Sequence, residues 1–81
     1  MKIKLVAYGI AKDILKAREI EWEFQQPSVT VQLVKESLLK DYPAFANLRK
    51  LSLAVGIEYR DDSYELKDGD EVIIIPPVSG G

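Results

Sequence analysis

The chain has 81 residues, 47% hydrophobic and 30% charged, which bounds it at one globular domain with a limited core. Its 13 acids outnumber its 11 bases, which argues against nucleic acid as the main partner and fits a partner surface that is basic. Cysteine is absent, which excludes disulfides, thiolate nucleophiles and zinc-thiolate sites, and so is histidine, the commonest acid-base group near neutral pH.

The first element is "KIKLVAY", residues 2–8. Ile3, Leu5 and Ala7 alternate with Lys2, Lys4, Val6 and Tyr8, so the pattern predicts a strand with lysines on its outer face. "GIAKDILKAR" follows, with Ile10, Ile14 and Leu15 at helical spacing, and is expected to form one or two helical turns. "EIEWEFQ", residues 19–25, predicts a half-buried strand: Ile20, Trp22 and Phe24 point inward and Glu19, Glu21 and Glu23 outward. At that spacing Trp22 reads as core rather than as a ligand-stacking residue.

The main helix is expected in "TVQLVKESLLKDY". Thr30 is the candidate N-cap, and Val31, Val34, Leu38 and Leu39 recur three and four residues apart. Lys35, Glu36 and Lys40 fall on the solvent side, and Pro43 stops the helix by driving the residue before it out of the helical region. "LSLAVG", residues 51–56, reads as a third strand, and "IEYRDDSYELKDGDE" as a turn-rich segment. Asp61, Asp62, Asp68 and Asp70 do not match the calcium-loop spacing and read as turn residues. Val72 to Ile75 form a last strand, apolar at every position.

This order predicts an α+β fold: one mixed sheet with one main helix on one face, spanning residues 1–75, and a protruding tail over 76–81. The inner set is then Ile3, Leu5, Trp22, Phe24, Val72 and Ile74. The outer set includes Val6, Tyr8, Ile73 and Ile75, too apolar for a purely solvated face, which marks a partner surface. No stretch has the ~18 apolar residues of a membrane helix. "MKIKLVAY" is too short and too alternating for a signal peptide, so the expected compartment is the cytoplasm.

The tail "PPVSGG" leaves the last strand directly. Pro76 and Pro77 cannot continue a ladder and favour an extended path. At ~3.3 Å per residue the tail reaches at most about 20 Å, enough to enter a partner's pocket while the body docks outside. Gly80 and Gly81 carry no side chains, so they pass a narrow channel.

"LKDGDEVIIIPPVSGG" resembles the carboxyl end of the molybdopterin synthase small subunits, a family of ubiquitin-like sulfur carriers. The resemblance spans the chain in length and element order. It is strongest over Asp68-Gly69-Asp70-Glu71-Val72 and Pro76-Pro77-Val78-Ser79-Gly80-Gly81, and looser over the Thr30-to-Pro43 segment. Many members have Asn just after the third strand, where this chain has Gly56-Ile57; Gly56 also tolerates a positive φ there.

The resemblance implies a β-grasp fold and the role of a sulfur carrier that is not an enzyme on its own. Gly81 would be adenylylated by an E1-like adenylyltransferase using ATP and magnesium, then converted to a thiocarboxylate by a sulfurtransferase. Pro76, Pro77, Val78, Ser79, Gly80 and Gly81 would enter the active site of the large catalytic subunit, in a heterotetramer of two small and two large subunits. The sulfur would go to the dithiolene of molybdopterin. The chain itself would bind no cofactor or metal. By resemblance the docking positions fall on Tyr8, Tyr59 and Ile75; Tyr8 and Ile75 also belong to the outer set derived from periodicity. Two rival roles share the Gly-Gly end: a thiamine-type sulfur carrier, and a ubiquitin-like modifier joined to lysines through Gly81.

Overall fold

The computed structural model describes residues 1–47 and 51–75. Its elements in chain order are β1 (Lys2–Ala7), α1 (Gly9–Leu15), β2 (Glu19–Glu23), α2 (Val31–Asp41), a 3-10 turn (Pro43–Asn47), β3 (Ser52–Val55), β4 (Glu58–Arg60) and β5 (Glu71–Ile75). The five strands form one mixed sheet in the order β2-β1-β5-β3-β4. β1 and β5 run parallel at the centre, and the other pairs are antiparallel. The last strand therefore inserts between the first and the third. Its unbroken apolar run suits that position, because a central strand is flanked on both sides.

α2 lies on one face of the sheet, the β-grasp arrangement. Val31, Val34 and Leu38 form its buried stripe, and they cluster with Ile3, Leu5, Val72 and Ile74 of the sheet. Leu39 falls off that stripe and is 41% exposed, contrary to its place in the expected apolar set. The Thr30 hydroxyl accepts from the Leu33 amide at 3.2 Å, as an N-cap should. At the other end Tyr42 leaves the helical region (φ −131°, ψ 76°) ahead of Pro43. The 3-10 turn that follows buries Phe45 almost completely and sets its ring edge-on to Tyr42. Periodicity does not reveal this turn, because Phe45 is the one buried residue over 43–46.

Three further expectations are corrected. α1 turns its Ala11 and Leu15 side to the core, which leaves Ile10 exposed. Trp22 packs against the core only in part, because β2 is an edge strand; its ring meets Phe24 edge-on at 5.7 Å. The segment read as wholly turn-rich contains β4, paired with β3 from Val55↔Glu58 to Leu53↔Arg60. β4 is three residues long with no fully buried position, so it lacks an alternating signature. Gly56, at φ +66°, makes the tight turn between them.

The acids of this region do serve as turn residues. Asp61 accepts from the Ser63 hydroxyl at 2.7 Å and from its amide at 3.1 Å. These bonds, hydroxyl first, hold its carboxyl below the ordinary aspartate value. Asp68 accepts from the Lys2 amide and Asp70 from the Lys67 amide, around Gly69 at φ +88°. Asp62 is 2.6 Å from Lys35, so that lysine is ion-paired and partly covered, where a simply solvated side chain was expected. The carbonyls of Asp62 and Tyr64 accept from the Gln32 and Val31 amides, which straps this loop to the start of α2.

Candidate functional site

Among the described residues, no helix lies on the sheet face opposite α2. Strand register assigns its content, because residues side by side on neighbouring strands point to the same face. One row runs Glu19, Val6, Ile73, Ala54, Tyr59 across all five strands. Beyond it, Ile75 stands beside Ser52. Tyr8 keeps an extended backbone (φ −131°, ψ 159°), so continuing the β1–β5 register by one residue sets it next to Ile75.

The three positions expected to dock thus share one face: Tyr8 and Ile75 at the end where β5 leaves the sheet, and Tyr59 level with the middle of β5, across Ala54 from Ile73. Tyr8 is 54% exposed, Tyr59 is 70% exposed and Ile75 is half-buried. Val6 belongs to the outer face as expected, but it adds no free area. It is buried there without joining the core cluster, and Ala54 behaves in the same way. Both sit on inner strands, where flanking side chains cover a small residue even on an open face. Ala54 is the outer-face position that a residue-by-residue reading passed over. Its signal is the alternation of Leu51, Leu53 and Val55 with Ser52 and Ala54.

A depression of about 700 Å³ opens beside Tyr59, lined in part by Lys35, Ser52, Arg60 and Asp62. Its charged groups have partners, except that the buried Nε of Arg60 has no hydrogen-bond partner among the described residues. Lys35 pairs with Asp62, and Arg60 lies 3.8 Å from Glu58 and stacks 4.5 Å from the Tyr64 ring centre. Among the described residues no group of three or more Asp or Glu is placed to hold a metal ion, and no helix is long and apolar enough to cross a membrane. What the described residues offer is an exposed, partly apolar surface. Pro76, Pro77, Val78, Ser79, Gly80 and Gly81 lie outside the described residues.

Residues 8–81 match the ThiS family. The chain is 32% identical to the molybdopterin synthase sulfur carrier subunit of Caenorhabditis elegans, over 100% of this chain and 99% of that one. In structure it is similar to a putative molybdopterin converting factor, subunit 1, from Pyrococcus furiosus, with a TM-score of 0.86, 25% identity, and 96% and 99% of the two chains covered. A protein–protein complex of subunits 1 and 2 of the molybdopterin-converting factor from Helicobacter pylori matches with a TM-score of 0.67 at 22% identity, covering 100% of both chains.

Proposed function

The chain belongs to the ThiS family, and from that premise we propose that it is a sulfur carrier, the small subunit of a molybdopterin synthase. The observation that carries this reading is the end-to-end match to a relative named as that subunit. The open sheet face supports it, since a carrier must dock on its partners.

The chemistry follows from the residue inventory. A carboxylate at the end of a chain is ionised at neutral pH and is a poor electrophile, so the Gly81 carboxylate must be activated. An E1-like enzyme with ATP and magnesium makes the acyl-adenylate, and a sulfurtransferase replaces AMP with sulfur. The thiocarboxylate then enters the large subunit and gives its sulfur to the molybdopterin precursor; two such transfers build the dithiolene. With no Cys or His in the chain, acid-base work falls to the partners. Pro76 to Ser79 aim the tail, and Gly80 gives clearance. Tyr8, Tyr59 and Ile75 form the docking patch. Removing a large side chain from water contributes ~1.5–3 kcal/mol when its burial is complete.

Intact mass after incubation with ATP, an E1-like enzyme and a sulfur source tests the reading. A gain equal to replacing one oxygen by sulfur is expected. No gain, under conditions that load a known carrier, would remove the assignment. A lysine-linked conjugate without thiocarboxylate would point to the modifier role instead.

A further inference from the structure

The helix-free face is divided into two halves of different chemistry. Tyr8 and Ile75 stand at the tail end, and the row Glu19, Val6, Ile73, Ala54, Tyr59 crosses the middle with Glu19 on one sheet edge and Tyr59 on the other. The other half is charged. Away from the tail, Glu23 faces Lys2 and Glu21 and Glu71 flank Lys4, and Glu19 borders them at the β2 end of the middle row. With Glu19 counted, four glutamates here stand against two lysines. Lys4 lies 3.8 Å from Glu19 with both side chains about half exposed (50% and 54%), a screened pair that leaves the carboxylates open to a partner. An apolar centre bordered by charge is how protein interfaces are organised.

We infer that the acidic half fixes the direction of docking. This rests on the proposed carrier role, and it assigns the partner's chemistry: Lys or Arg opposite Glu19, Glu21 and Glu71, and apolar side chains opposite Tyr8, Tyr59 and Ile75. Direction matters because the tail starts at one end of the face. A docking pose turned by half a revolution moves that start by roughly the length of a strand, about 15 Å, a large part of the tail's reach. The same rotation presses carboxylates onto the partner's apolar patch, and desolvating an unpaired charge is costly. In the correct pose the acids draw in a basic surface before contact, which acts on the association rate. A second copy of this chain is the poorer fit, because it brings the same excess of carboxylates and a net charge of −2.

The test uses the full chain and the large synthase subunit from the same organism. Association and dissociation rates are measured between ~0.02 and ~0.5 M salt, where screening goes from weak to nearly complete. The wild type is compared with Glu19→Gln/Glu21→Gln and Glu19→Lys/Glu21→Lys. The charge-reversed pair is expected to associate about 10-fold more slowly at low salt, with the neutral pair between. The difference should vanish at high salt, and dissociation should change by less than about 3-fold, because steering acts before contact. Equal association rates at low salt would overturn the inference while leaving the carrier role intact. So would a free chain that dimerises through this face, seen as a doubled mass in light scattering. A wild type that neither binds the large subunit nor takes up sulfur would instead remove the carrier role, and the inference with it. Should the reversed pair unfold, the Gln pair decides, since it keeps side-chain size and removes the charge.

Discussion

Leu5 and Val6 are adjacent in β1, and both are nearly inaccessible, yet they belong to different structures. Leu5 points toward α2 and packs in a cluster with Val34, Leu38 and Phe45. Val6 points the other way, in a row whose ends are the exposed Glu19 and Tyr59. The helix-covered face holds the fold together. The helix-free face uses the same strands to present side chains outward. If the proposed docking holds, alternate residues of one sheet carry stability and contact, and substitutions on the two faces should separate the two properties.

The largest expected effect lies on the covered face. Phe45→Ala removes a ring that is 1% exposed, and it should lower stability by ~3–5 kcal/mol in chemical denaturation. A loss under 1 kcal/mol would mean that the 3-10 turn does not anchor the core. Next comes Thr30→Ala, which deletes the cap on Leu33 and should cost about 1 kcal/mol. Partner affinity should be unchanged while the protein stays folded, because Thr30 is not on the open face.

The smallest effect is on the loop strap and depends on pH. Asp61 has its carboxyl held low by Ser63, so it binds protons less readily folded than unfolded. Its contribution to stability is present above the unfolded value and is lost as pH falls through the folded one. Asp61→Asn should therefore cost a little stability at neutral pH and flatten a minor part of the acid limb of a stability–pH curve, from about pH 4 downward, where the wild type loses the same contribution. A loss as large in acid as at neutral pH would contradict that cause.

The strands with one polar and one apolar side were legible in the sequence. β1 and β2 alternate, and α2 has a hydroxyl cap, a stripe and a proline stop. β4 was not legible, because an edge strand of three residues whose Tyr59 points outward has no inner partner to alternate with. Phe45 and Leu66 were missed as core for a related reason: each is a lone apolar residue in a loop, buried by tertiary packing. Tyr8 and Ile75 could be reached from period alone. Tyr59 needed the family resemblance, and the β3–β4 register explains why it lies with them. Lys35 looked solvated because the aspartate that holds it lies 27 residues away in the chain.

Tyr59→Ala tests the division between the faces most directly, with affinity for the large subunit and the unfolding midpoint measured on the same sample. A Kd about 30-fold weaker, equivalent to ~2 kcal/mol, with the midpoint unchanged is the expected result. An unchanged Kd, or a Kd that weakens only as the protein unfolds, would contradict it.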